Sequence, residues 1–194
     1  MKNLEASFSI FSMKGVLPFL LRGVAFTVVI SAVAVLIGVV FGYLLAIARN
    51  YCTKKDNRIL GILATIYIEV FRNTPLLLWI FICLVFLPIP GFLKQKMLGL
   101  SSVEAGLLFK GAFALILFES SVIAEIVRGG LNAIPAGQFE AAKSQGFSSV
   151  QTMIYIILPQ VYHKIVPTLL SQVISTIKDS SYLANIAIIE LMAR

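Results

Sequence analysis

An all-α integral membrane protein is the fold class this sequence predicts, and three observations predict it. Of its 194 residues 59% are hydrophobic and only 13% are charged, too little polar surface to cover a soluble domain of this size. Mean hydropathy is +0.95. The apolar stretches are long enough to cross a bilayer as helices, about 20 residues each, and too uniform for the alternating strands of a membrane barrel.

The elements follow in order. Residues 1–22 mix Phe8, Ile10, Phe11 and Met13 with serines and lysines, which reads either as an amphipathic surface segment or as a frayed terminus. Residues 23–48 carry no charge between Arg22 and Arg49 and form the first predicted span, with Gly38 and Gly42 as a small-xxx-small pair that admits a neighbouring helix. Arg49, Lys54, Lys55 and Arg58 then make the densest basic loop, which the positive-inside rule places in the cytoplasm, with the N-terminus outside. The second span, 59–87, is interrupted near its middle by Glu69, Arg72, Asn73, Thr74 and Pro75. Such groups at membrane depth must face protein or water. Two readings stand for them: a broken helix that builds a substrate site, or Glu69 and Arg72 neutralising each other on one face.

An external loop with Pro88, Pro90 and Gly91 leads to the third span, 105–127, where Lys110 snorkels outward and Glu119 sits beside Ser120 and Ser121. Glu119 either faces a translocation path or pairs with an arginine of another helix, whereas Glu125 and Arg128 are spaced as a structural ion pair. Residues 128–153 form a polar loop, and 154–177 the fourth span, bent by Pro159 and Pro167. In that span Gln172 and Asp179 are seven apart, on one face two turns from each other. The other reading of Asp179 is a pair with Lys178 or a helix cap.

Several function classes drop out. The net charge of +7 suits contact with anionic headgroups, but no basic stripe with interleaved aromatics marks a nucleic-acid partner. Cys52 and Cys83 lack metal-ligand spacing and read as structural, without a disulfide. His163 beside Lys164 reads as an interface residue rather than a ligand, so no metal site is expected. No Gly-x-x-x-x-Gly-Lys-Ser/Thr sequence occurs, so the chain supplies no P-loop ATPase.

The polar loop carries the most specific pattern. Glu140-Ala141-Ala142, then Gly146, then Ile157-Leu158-Pro159 resembles the EAA loop of ABC importer permeases. The two alanines let another protein approach the backbone, Glu140 presents a charge to a partner or caps a helix start, and Gly146 ends a short helix with a sharp bend. Glu69-Val70-Phe71-Arg72-Asn73-Thr74-Pro75-Leu76-Leu77 resembles the Glu-x-Phe-Arg-x-Thr-Pro-Leu-Leu pattern of the polar amino-acid permeases within that class, with Trp79 departing from the glutamine they often carry. The run from Ala124 to Gln138 and Lys178-Asp179-Ser180-Ser181 resemble the same group.

The resemblance covers most of the chain from Gly23 onward. It implies a type I ABC importer transmembrane domain with a five-helix core, whose last helix is expected to begin near Ile189 or Glu190, where the given sequence stops. It implies residence in a bacterial cytoplasmic membrane as a multi-pass protein, with the EAA loop cytoplasmic. The implied partners are an ABC ATPase subunit, a second permease subunit, an extracytoplasmic amino-acid-binding protein and membrane lipid. ATP and magnesium would bind the ATPase, and this chain would hold no cofactor and catalyse nothing itself. Glu140, Ala141, Ala142 and Gly146 would couple to the ATPase. Asp179 would hold the substrate ammonium, Gln172 would read its side chain with a glutamine-like cargo favoured, and Arg72, Thr74, Glu119 and Ser120 complete the candidate site. The rival reading is a proton-coupled secondary transporter that titrates Glu119, Glu125 and Asp179 in the membrane.

Overall fold

The computed structural model describes residues 16–51, 58–94 and 101–183. The terminal stretch 1–15, the basic-loop residues 52–57 and the tail 184–194, including the point where a fifth helix is expected, lie outside the described residues. What is described is helical, without a strand among those residues. Helix α1 runs Val16–Tyr51, α2 Arg58–Arg72, α3 Leu76–Phe86, α4 Ser102–Asn132 and α5 Ala136–Ser144. A single turn, Ser149–Gln151, and a π turn, Thr152–Ile157, then lead into α6, Leu158–Asp179.

Among the described residues three stretches are long and apolar enough to cross a membrane: Gly23–Asn50, Ser102–Asn132 and Ser149–Leu183. The interrupted segment is two helices, α2 and α3, which meet at 106°. At 1.5 Å per residue neither reaches the ~30 Å of a hydrocarbon core. Pro75 stands at the break and is the N-cap of α3, giving no side-chain cap bond. Upstream, Asn73 N–H still bonds the Glu69 carbonyl at 3.1 Å, and Thr74 Oγ1 turns back to the Val70 carbonyl at 2.6 Å. Two carbonyls at the broken end of α2, those of Glu69 and Val70, thus keep partners, as a lipid surrounding demands.

Contacts along the helices set the topology. Gly38 of α1 faces Glu119 and Ser120 of α4, Gly42 faces Ile123 and Ala124, and Arg49 reaches Glu125. The numbers rise together, so α1 and α4 run parallel. Two parallel spans need a return crossing between them, and the bent α2–α3 pair supplies it. Lys110 Nζ bonds the Leu84 carbonyl at 2.7 Å, and Gly106 lies against Ile89, so α3 runs antiparallel to α4. The carbonyl that Lys110 takes up would otherwise look to the N–H of residue 88, and Pro88 has none. Helix α6 returns along α4, with Gly130 against Ile165 and Gly111 against Leu183. The end of α1 near Arg49 and the loop between α4 and α6 therefore share one membrane face.

Two apolar clusters hold this frame. One gathers Ala46, Ile68, Ile123, Ala124, Val127, Leu131, Ile157, Val161 and Ile165 near the shared face. The other gathers Ala34, Leu76, Ile80, Cys83, Ala114, Leu115 and Leu183 toward the opposite side. Between them runs an aromatic file: Tyr67 and Phe71 with ring centres 4.5 Å apart, then Phe71 stacked on Trp79 at 4.0 Å. Trp79 Nε1 is buried without a partner among the described residues. An unmet buried donor costs about 1–3 kcal/mol. Trp79→Phe keeps a stacking ring and removes that donor. It is expected to shift the thermal midpoint by the equivalent of less than about 1 kcal/mol, instead of the 3–5 of an ordinary large aromatic truncation. A loss in that larger range would show that the indole N–H is engaged.

Candidate functional site

Glu119 is the most deeply placed charged side chain, 0% exposed. Small residues make that position possible: Gly38 of α1 packs directly on the Glu119 side chain. Its partner comes from α6. Gln172 Nε2 lies 3.2 Å from Glu119 Oε1 and 3.1 Å from Oε2, so one amide NH2 donates to both oxygens. One turn on, Thr176 is buried and its hydroxyl donates to the Gln172 carbonyl at 2.9 Å. Glu119 therefore pairs with an amide, and no arginine of another helix reaches it among the described residues. Ser120 lies next to it but faces α2, sharing a 2.8 Å hydrogen bond with the Tyr67 hydroxyl.

Asp179 sits two turns beyond Gln172, half-buried, with no hydrogen bond or ion pair to another described residue, Lys178 included. Along the outward side of α6, Thr168, Ser171, Ser175 and Lys178 are exposed at alternating spacings of three and four. The serine hydroxyls donate back to the carbonyls of Pro167 and Ser171, at 3.1 and 3.2 Å. Their lone pairs remain outward. An apolar cleft of about 170 Å³ opens on the flank of α6 toward α1, walled by Val35, Val39, Ile123, Leu169 and Val173, with Gln172 and Tyr162 as its polar members.

Arg72 and Thr74 belong elsewhere. Thr74 is turned back on its own helix, as described above. Arg72 joins an ion cluster at the junction of α1, α2 and α4. Glu125 Oε2 accepts from Arg49 at 3.1 Å and from Arg128 Nε at 2.9 Å, and Arg128 Nη2 bonds its other oxygen. Arg72 lies 3.8 Å from Glu125 Oε2. Arg49 also bonds Glu69 at 2.7 Å, and Asn73 bonds Glu69's second oxygen at 3.2 Å. The expected Glu125–Arg128 pair is thus one edge of a larger network. The alternative in which Glu69 and Arg72 neutralise each other gives way to cross-helix partners, since α1 and α4 bring Arg49 and Glu125 closer. Arg49 enters from a position that the sequence marks only as the start of a basic loop.

The polar loop folds as expected of its spacing, with one correction. Helix α5 covers the Glu140-Ala141-Ala142 stretch and ends at Ser144. Gly146 has φ +81, and Gly146 N–H and Phe147 N–H bond the carbonyls of Lys143 and Ala142 at 3.1 Å each. This is the left-handed glycine stop that a side chain would strain. Ala142 is 2% exposed and anchors α5 to the membrane body, while Glu140, Ala141 and Gly146 face outward. Glu140 caps no helix start: it lies mid-helix, and the N-cap is Pro135 without a side-chain bond. Gln160 Nε2 to Gln138 Oε1 at 3.1 Å ties α5 to α6, and Lys164 Nζ to the Ala133 carbonyl at 2.7 Å ties α6 to the end of α4 just before α5.

A family model described as binding-protein-dependent transport system inner membrane component matches residues 38–192. The chain belongs to that family. This permease is 38% identical over 168 residues to the glutamate/aspartate import permease protein GltK of Escherichia coli, covering 85% of this chain and 70% of the relative. It is 35% identical over 176 residues to the probable glutamine ABC transporter permease protein GlnP of Bacillus subtilis, covering 91% and 74%. A solved amino acid ABC transporter with histidines matches with TM-score 0.71 and 31% identity over 91% of this chain and 76% of that one. The inward-facing MetNI methionine ABC transporter matches with TM-score 0.71 at 20% identity, a likeness of fold alone, over 87% of this chain and 74% of that one. The permease is thus a transport component of the ABC importer class, built on the type I importer fold and embedded in the membrane.

Proposed function

We propose that the permease carries a polar amino acid, glutamine-like side chains favoured, inward across a bacterial cytoplasmic membrane. The observation that carries this reading is the outward side of α6. A membrane-spanning helix that exposes the hydroxyls of Thr168, Ser171 and Ser175 and the amine of Lys178, with Gln172 and Asp179 half-buried at its edge, needs a polar surface opposite, because lipid does not solvate them. A second permease chain and the aqueous path between the two meet that need. Asp179 takes the substrate ammonium and Gln172 its side chain. Arg72 and Thr74 remain candidates for the carboxylate through the break between α2 and α3, and Glu119 supports Gln172 from behind, with Ser120 next to it.

An extracytoplasmic binding protein delivers the cargo. Two ATPase subunits, which hold ATP and magnesium, dock on α5 at the cytoplasmic face through Glu140, Ala141 and the turn at Gly146. The basic loop after Arg49 lies on that same face, and the N-terminus lies outside, as the positive-inside rule requires. Closure of the ATPase pair pushes α5, and Ala142, Gln160 and Lys164 pass the displacement to α6.

The test is co-purification of the permease with the subunits encoded beside it. Wild type is expected to retain a P-loop ATPase, and Glu140→Lys and Gly146→Asp to lose at least about nine-tenths of it. Gly146→Asp combines strain at positive φ, about 1–2 kcal/mol, with a new charge on the docking surface. In proteoliposomes uptake should require ATP and ignore an uncoupler. Uptake that collapses with the proton gradient and needs no ATPase would replace this reading with the proton-coupled transporter.

A further inference from the structure

We infer that Glu119, sealed from the translocation path, sets side-chain selectivity through Gln172: it fixes the amide so that the permease presents an acceptor and favours cargo whose side chain donates hydrogen bonds over cargo with a carboxylate. The inference rests on the amino-acid reading above. Glu119 is 0% exposed, so it touches no substrate in this conformation. Both its oxygens lie within hydrogen-bond distance of a single atom of Gln172, and the Thr176 hydroxyl is a further partner of the same carboxyl. At most one oxygen of a carboxyl group can carry a proton, so the atom lying between the two is the amide nitrogen. The carbonyl end, Oε1, accepts from no described residue. It is not buried either, because Trp79 Nε1 is the buried side-chain polar atom left without a partner among the described residues.

Gln172 is half-buried and lines the cleft beside α6. The polar groups nearest Gln172 along the helix are acceptors, with Lys178 six residues on as a donor. Gln172 offers a carbonyl oxygen and Asp179 a carboxylate. Ser171 and Ser175 have spent their protons on backbone carbonyls and offer lone pairs. An amide or cationic side chain finds partners here. At Gln172 itself a carboxylate meets an acceptor, and an unpaired polar group in a site built for its complement is rejected strongly; the donors it would have to reach instead are Tyr162 in the cleft wall and Lys178 six residues on. Left unfixed, a glutamine amide can turn over and serve either cargo, so the discrimination resides in the carboxyl behind it. Glu119 is a positioning residue.

The experiment is equilibrium binding of radiolabelled glutamine to the purified permease–ATPase complex in nanodiscs. The binding protein is omitted so that its own selectivity does not intrude. Unlabelled glutamine, arginine and glutamate compete. In wild type, glutamate should compete at least about tenfold more weakly than glutamine. In Glu119→Gln, which keeps size and removes the fixed polarity, that ratio should fall at least about fivefold, with glutamine still bound. An equal loss of affinity for every competitor, with the ratio unchanged, marks Glu119 as merely structural and overturns the inference. Should Glu119→Gln fail to assemble, Gln172→Met decides: it keeps Glu119 and removes the acceptor, so the ratio should approach one, and a preserved ratio overturns the inference. Wild type that binds all three equally also overturns it while leaving amino-acid transport standing. Wild type that binds none overturns the functional reading and the inference together.

Discussion

Gly42→Leu is expected to prevent recovery of a monodisperse complex, whereas Gly23→Leu is expected to leave it unchanged. A Cβ at Gly42 would stand 2.8 Å from Ile123 Cγ2, 2.9 Å from Ile123 Cβ and 3.0 Å from the Ala124 backbone nitrogen. The first two contacts involve the stem of a β-branched side chain, and the third is backbone, so nothing nearby gives way easily. Even alanine there forces the helices apart. Overpacking of this kind costs about 1–3 kcal/mol, and leucine, three carbons longer, exceeds that range. The damage spreads because α1 and α4 form the most extensive helix pair of the structure. Gly23, by contrast, has nothing within 4 Å of a built Cβ. Size-exclusion profiles and thermal midpoints of the two variants make the comparison. Equal behaviour would show that α1 and α4 do not approach as closely as described.

Glu125→Ala is expected to have the next largest effect. It removes the acceptor for Arg128 and Arg49 and the nearest carboxylate to Arg72, leaving three guanidinium groups around Glu69. Stripping one partner from a buried ion pair costs about 3–5 kcal/mol. These side chains are 20–46% exposed, and water offsets part of the loss. A destabilisation of about 2 kcal/mol is expected, visible as a lowered thermal midpoint that high salt partly restores. Adding Arg128→Ala should recover some of it, because the double variant carries one stranded cation fewer. The coupling energy from that cycle separates the pair from its surroundings. A loss below about 0.5 kcal/mol would show the cluster to be screened like an ordinary surface pair.

The local part of this architecture was legible in the sequence, and the long-range part was not. The uncharged run after Arg22 announces α1, and the structure only extends it back to Val16, through Arg22. Glu140-Ala141-Ala142 followed by Gly146 announces a short helix and its glycine stop, because both depend on neighbours within six residues. Pro75 announces a break between α2 and α3, but proline does not encode 106°; the packing of both halves on α4 sets that angle. Arg49 and Glu125 are 76 positions apart, and Gln172 and Glu119 are 53 apart. Nothing in either local pattern selects those partners. The parallel run of α1 with α4 brings the first pair together, and the antiparallel return of α6 the second. Tyr67 is hidden for the same reason: its spacing reads as an apolar helix face, and only the crossing of α2 over α4 gives its hydroxyl to Ser120 and Leu117.

The π turn at Thr152–Ile157 has an angular consequence for the whole machine. A wide turn accommodates one residue more than an α-helix does over the same rise, so everything before it is rotated by about 100° relative to α6. Pro159, two residues beyond, has no N–H to supply the regular bond to the Tyr155 carbonyl. The heading of α5 is therefore a matter of phase: it is set by how many residues are wound into one turn, like the indexing of a gear on its shaft. A permease shortened by a single residue there would keep its spans, its ion cluster and its polar stripe, yet hold the exposed side of α5 toward a different quarter.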